Sequence, residues 1–86
     1  MTKSIYVNIT EEHIKHGWRK DNKFCPTALA LLDKGYNGVS VGISTSAVIK
    51  DNQLITFSNS KPLVQEIRSF DVGNGFKSGK YKFNFI

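Results

Sequence analysis

The stretch Phe24-Cys25-Pro26-Thr27-Ala28-Leu29-Ala30-Leu31-Leu32-Asp33-Lys34-Gly35 decides how the rest of the chain is read. Pro26 suits the first position of a helix, because its missing N–H would have no intrahelical partner there. Cys25 then takes the N-cap, and Gly35 supplies the stop. Ala28, Leu29, Leu31 and Leu32 are predicted to form the buried stripe of this helix. A polar, basic loop precedes it and a strand follows it, so the helix marks where the core begins.

Toward the N-terminus, Ile5, Val7 and Ile9 alternate with Tyr6 and Asn8, the pattern of a half-buried strand. Thr10 offers an N-cap, and Glu11 and Glu12 fill a first turn where negative charge suits the helix dipole. Gly17 ends that short helix about two turns later. Residues 18–23, Trp-Arg-Lys-Asp-Asn-Lys, form the polar loop. Toward the C-terminus, Tyr36-Asn37-Gly38 reads as a turn. Val39, Val41 and Ile43 alternate with Ser40 and Gly42, a second strand whose central glycine suggests a bulge or close packing.

Residues 47–50 and 54–57 flank Asp51-Asn52-Gln53, a hairpin signal, since Asp and Asn tolerate the turn geometry. Ser58-Asn59-Ser60 is expected to break the strand and cap a third helix with Pro62 in its first turn. Leu63, Val64, Ile67 and Phe70 give that helix one apolar face. It ends at Asp71-Val72-Gly73-Asn74-Gly75. Tyr81, Phe83 and Phe85 alternate with Lys80, Lys82 and Asn84 in a last strand. The order β-α-α-β-β-β-α-β predicts an α+β fold: a four- to five-stranded, mostly antiparallel sheet with helices on one face. Leu29, Leu32, Val41, Ile67, Phe70 and Phe83 are expected to meet in one core.

The 86 residues make one domain, 1–86. A chain of this size buries only about 60–65% of its unfolded surface, so the core is thin. With 40% hydrophobic and 22% charged residues, the composition is that of a globular domain rather than a low-complexity segment. No apolar run approaches the roughly 18 residues of a membrane span, so no membrane association is expected. The first residues hold no long apolar stretch after Lys3, so a cleaved signal peptide is not expected. A single cysteine forms no internal disulfide, which makes a reducing cytoplasm the expected location.

The net charge of +5 is uneven. Residues 1–35 carry six basic and four acidic groups, residues 36–60 one of each, and residues 61–86 five basic and two acidic. Basic ends around a neutral middle suit anionic partners such as nucleic acid or an acidic protein face. The plainer reading is that the charge keeps a small domain soluble.

Several pieces, taken in order, resemble a set of small uncharacterised proteins of bacteriophages and prophages. They are Ile9-Thr10-x-Glu12-His13-Ile14-x-x-Gly17, Cys25-Pro26-x-Ala28-Leu29-Ala30-Leu31, Val39-Ser40-Val41-Gly42, Ile67-x-x-Phe70-Asp71-x-Gly73 and Phe83-x-Phe85. The resemblance spans nearly the whole chain. It implies a phage accessory protein acting in the cytoplasm of a bacterial host, and it transfers no catalytic residue.

Cys25 at a helix N-terminus, with His13 and His16 upstream, is the first candidate for chemistry. A thiol there meets unpaired N–H groups that can lower its pKa. The structural alternative is a small buried residue closing the core. His13 and His16 are three apart on a helix and, with Cys25 and Asp21, raise the question of a metal. A structural zinc site normally draws four ligands from closely spaced pairs, and that pattern is missing here. No catalytic residue, metal or cofactor is therefore assigned.

Lys15, Trp18, Arg19, Lys20 and Lys23 form the candidate partner-binding set. Trp18 and Arg19 are its best anchors, because these residue types dominate interface energies. The bland alternative is a solvated loop with Trp18 packed as a lid on the core. Lys77, Lys80 and Lys82 read as edge-strand lysines that block aggregation. If Tyr6 shares their face a nucleic-acid platform becomes possible, but a typical platform shows its aromatics outward and here they alternate to the expected inside, which argues against it. Gly73, Gly75 and Gly79 follow a helix rather than opening one, so they read as turn residues rather than a phosphate loop. The expected function is non-catalytic binding of a host or phage protein. The alternative is a nucleic-acid-binding module using the basic 15–23 loop and the 77–82 lysines.

Overall fold

A computed structural model describes residues 3–86 of the chain. Its elements run β1 (Ser4–Ile9), α1 (Glu11–His16), α2 (Pro26–Asp33), β2 (Asn37–Val41), β3 (Thr45–Lys50), β4 (Gln53–Asn59), α3 (Lys61–Asp71) and β5 (Gly79–Phe85). This is the order the sequence predicts. The five strands form one sheet in the order β1-β5-β4-β3-β2, and every neighbouring pair is antiparallel.

The alternation seen in the sequence becomes the two faces of this sheet. Val7, Ile9, Val48, Phe57, Tyr81 and Phe83 point inward and are buried. Ser4, Tyr6, Asn8, Lys80 and Lys82 point outward. Phe57 lies at the centre, with its ring 5.7 Å from Phe83, 5.0 Å from Phe85 and 6.2 Å from Tyr36. The sheet curls so that α2 packs against both of its edge strands, β1 and β2.

That curl explains why the buried face of α2 is not the predicted one. Thr27, Ala28, Ala30 and Leu31 are buried, whereas Leu29 is half-buried and Leu32 is 39% exposed. A helix wedged between two strands needs short side chains where the backbones approach, and Ala28 and Ala30 supply them. The larger Leu32 is turned outward. Of the expected core residues, Val41, Ile67 and Phe83 are buried. Phe70 is only half-buried, at the end of an aromatic chain through Phe76 to Tyr81.

Other local differences have equally plain causes. Ser58 and Asn59 do not break β4; they pair with Asn84 and Phe83 of β5. Gly42 lies just past β2 rather than within it, and its N–H donates to the Thr45 carbonyl at 2.8 Å. Of the predicted Tyr36-Asn37-Gly38 turn, Tyr36 precedes β2 and Asn37-Gly38 open it, where the register shifts between Asn37 and Ser40. Gly38 sits there at φ +53°, and a Cβ on it would meet Ile49 Cδ1 at 2.8 Å. The predicted hairpin is present, but its loop is Asp51-Asn52 alone, both with positive φ (51° and 63°) as in a type I′ turn, and Gln53 opens β4 opposite Lys50 instead of lying in the turn.

Candidate functional site

Residues 17–25 join α1 to α2 without regular structure, yet they are held at many points. The Trp18 N–H donates to the Phe24 carbonyl at 2.9 Å and closes the ends of the loop. Asp21 Oδ1 accepts the N–H groups of Lys23 and Phe24 at 2.9 and 3.0 Å, the short-range turn typical of aspartate. Lys20 sits at φ 55° and donates its N–H to Asp71 Oδ1 of α3 at 2.9 Å. On the other side, the Asn22 carbonyl accepts the Val41 N–H of β2 at 2.8 Å. Gly17 makes the close turn possible: a Cβ there would lie 2.5 Å from Pro26 Cδ. This glycine ends α1 with φ −75°, so space rather than a left-handed conformation explains it.

The loop presents two aromatic rings to solvent. Trp18 is 67% exposed and Phe24 54%. Trp18 is therefore not a lid on the core, because the closed loop turns its side chain outward. Lys15, Arg19, Lys20 and Lys23 are all exposed. The structure divides the five candidate residues. Trp18, Arg19 and Lys20 line one shallow cleft together with Asp71. Arg19 also lies over Gly73, where a Cβ would come within 2.7 Å of its Nη1. Lys23 belongs to a separate groove with Phe24, Leu32 and Val39. Lys15 stands on α1 and lines neither.

The sequence does not single out Asp71 or Phe24 as site residues. Asp71 had a signal, because a carboxylate in the last turn of a helix opposes the dipole and so calls for a partner elsewhere. Phe24 precedes an N-cap, where an apolar residue usually packs back on the helix. Nothing in the sequence distinguishes that from its exposed placement.

The candidate reactive groups are used structurally. Cys25 is buried, and its Sγ accepts the Ala28 N–H at 3.4 Å as the cap of α2. Burial pushes the thiol pKa up, the backbone N–H groups of Ala28 and Thr27 oppose this, and the negative charge of Asp71 adds to the rise. The thiol is held protonated rather than activated. His13 Nδ1 accepts the Thr10 N–H at 3.0 Å, and Nε2 meets Asp33 Oδ2 at 2.5 Å. Thr10 Oγ1 in turn accepts the His13 N–H at 3.4 Å.

A Thr-His-Asp set with Oγ1 3.2 Å from Nδ1 has the outline of a nucleophile triad. The hydrogen bonds assign it otherwise. The lone pair of Nδ1 is taken by a backbone N–H, so no base faces the hydroxyl, and the set is a capping box tied to α2. His16 is exposed and pairs with Glu12 at 3.4 Å. His13, His16 and Cys25 therefore do not converge. Among the described residues, no three His, Cys, Asp or Glu side chains are placed to share a metal ion.

The terminal lysines are not on an edge. β5 lies between β1 and β4, which removes the edge-protection reading of Lys80 and Lys82. Register places Lys82 beside Tyr6 and Lys80 beside Asn8, so Tyr6, 55% exposed, shares the convex face with both lysines. Lys77 precedes the strand, and its N–H is held by Glu66 Oε1 at 2.8 Å. Among the described residues, no helix is long and apolar enough to cross a membrane. Compared with protein-family models, curated proteins and solved structures, the chain matches none.

Proposed function

We propose that this chain is a small non-catalytic accessory protein of the phage type, acting in the bacterial cytoplasm by binding a host or phage protein through its 17–25 loop. One observation carries this reading: Trp18 stands 67% exposed on a loop fastened to both α3 and β2. An indole held in water leaves apolar surface unburied, and a pre-ordered loop reduces the entropy lost on docking. Arg19 and Lys20 flank the ring in one cleft. Tryptophan and arginine together are the side chains that most often dominate interface energies. The exposed cations call for an acidic partner face. The resemblance to phage proteins supports the accessory role and the bacterial setting.

A nucleic-acid module is the second reading, favoured by Tyr6 standing beside Lys80 and Lys82 on one sheet face. Sheet platforms for single strands usually stack two or three bases on as many aromatics, and this face offers one. The experiment is capture from bacterial lysate with and without nuclease, using the wild-type chain and an R19A/K20A/K23A variant. The proposal expects a nuclease-resistant protein partner that the folded variant captures weakly. Capture that vanishes with nuclease, and weakens steeply between low and moderate salt, would favour the second reading.

A further inference from the structure

β1 and β2 are the two edges of the sheet, and only one of them is closed. On β2 the register shifts between Asn37 and Ser40, and the loop carbonyl of Asn22 takes the Val41 N–H. A bulge and a covering loop are devices that stop an edge strand from pairing further. β1 has neither. Its register with β5 is regular from Ser4↔Asn84 to Ile9↔Gly79, and its six residues include no proline.

The ladder identifies the open groups. The Phe85 N–H donates to the Lys3 carbonyl at 2.8 Å. By antiparallel alternation Lys3, Ile5, Val7 and Ile9 exchange bonds with β5, and Ser4, Tyr6 and Asn8 turn their N–H and C=O groups to the free side. Lys82, opposite Tyr6, agrees: its carbonyl faces β4 and accepts the Ser60 N–H at 3.3 Å. Among the described residues, no bond beyond the ladder reaches the main-chain groups of Ser4, Tyr6 or Asn8.

Beside this edge a groove of about 270 Å³ runs between β1 and α2, with Val7, Asn8 and Thr10 on one wall and Ala30, Asp33 and Lys34 on the other. Val7 and Ala30 give it an apolar floor. Its surroundings are cationic. Lys80 and Lys82 stand on the adjoining convex face, and Lys34 is exposed at the rim. Two carboxylates stand nearby, Asp33 paired with His13 and Glu11 accepting the Ser78 hydroxyl; both keep their charge, and the three lysines outnumber them.

We propose that the free edge of β1 accepts an extended acidic peptide segment as a sixth strand. Main-chain bonds to Ser4, Tyr6 and Asn8 would hold it, and its alternate side chains would divide between two environments. Carboxylates on one side would be reached by the long Lys80 and Lys82 side chains across β1, about two strand spacings away; small apolar residues on the other enter the groove against Val7 and Ala30. The net charge of +5 on each copy opposes pairing β1 with itself. This site is distinct from the 17–25 loop and does not depend on it.

The test is fluorescence anisotropy with a fluorescein-labelled Glu-Val-Glu-Val-Glu-Val peptide, supported by amide exchange. Saturable binding is expected. It should weaken about tenfold or more for the Lys-Val counterpart and for the same peptide N-methylated at alternate amides, the scale of one or two lost bonds. In the free protein the Tyr6 and Asn8 amides should exchange faster than those of Ile5 and Val7, and the peptide should protect them. Tyr6→Pro removes an outward N–H together with an exposed ring, so the variant should keep its circular dichroism spectrum and lose binding, whereas Tyr6→Ala, which keeps the N–H, should retain most of it. Should that variant unfold, the N-methylated peptide tests the same bonds from the ligand side. Absence of saturable binding, equal binding of the Lys-Val peptide, or binding that survives N-methylation or Tyr6→Pro would overturn the proposal. Self-association of the free protein that Tyr6→Pro abolishes would give the edge to a second copy, and would overturn it too.

Discussion

Replacing Asn59 should be among the most damaging polar substitutions in this protein. Its buried side chain accepts the Ser46 hydroxyl at 2.8 Å and donates to the carbonyls of Gly42 and Ile43, each at 3.0 Å. These three bonds fasten the end of β4 to β3 and to the connection between β2 and β3, beside the cleft that holds Cys25 and Asp71. At about 0.5–1.5 kcal/mol net for each bond, Asn59→Ala should cost about 3 kcal/mol, part of it from leaving a buried Ser46 hydroxyl unpaired. For a domain of this size that lowers Tm by about 12–24 °C. Urea unfolding should show a lower midpoint with the slope unchanged.

Asn59→Asp adds a sign to the test. Its carboxylate would face two carbonyl oxygens, so the folded-state pKa would lie above the unfolded one. A group shifted that way binds more protons when folded, so its penalty is full at neutral pH and fades as pH falls. Asn59→Asp should therefore approach wild type as the solution is acidified through the carboxylate range. An Asn59→Ala variant within about 0.5 kcal/mol of wild type, the range of an ordinary surface change, would show that these three bonds do not hold β4 in place.

The core should be centred on Phe57 rather than Phe70. Phe57→Ala should cost about 3–5 kcal/mol and exceed Phe70→Ala, which removes a half-buried ring; parallel urea titrations compare them. Cys25→Ala should cost on the order of 1 kcal/mol, and thiol reagents should label the native protein slowly at neutral pH. Because burial raises the Cys25 pKa, the unfolded thiol ionises first, and stability should fall as pH rises through and above the ordinary thiol range. Cys25→Ala should flatten that part of the slope, leaving the one due to Tyr81, raised by burial and by Glu66. Gly17→Ala should cost about 1–3 kcal/mol by forcing a methyl group against Pro26, and calorimetry of the purified variant checks it.

Most of the fold could be read from local chemistry. Alternation marked β1 and β5, Thr10 and Cys25 marked two helix starts, and Asp51-Asn52 marked the hairpin. What local pattern could not supply was the curl of the sheet. The curl brings both edge strands to α2, turns Leu32 outward and selects Ala28 and Ala30 for the tight contacts. Strand order is likewise a long-range property, so Lys80 and Lys82 read as edge residues until β5 proved central. In the loop, composition pointed to Trp18 and Arg19. The pinning bonds to Asp71 and Val41 join residues far apart in sequence, and they carry no local signature.

The exposed Trp18 and its Arg19 neighbour are the proposed contact with a protein partner. The most direct measurement compares partner capture by the wild-type chain and by Trp18→Ala in nuclease-treated bacterial lysate. Trp18→Ala should unfold at nearly the wild-type temperature, because the ring it removes is already mostly in water. A partner should be retained by the wild type and lost, by about thirtyfold or more in affinity, from this folded variant. Equal capture by the two proteins would contradict the proposed contact.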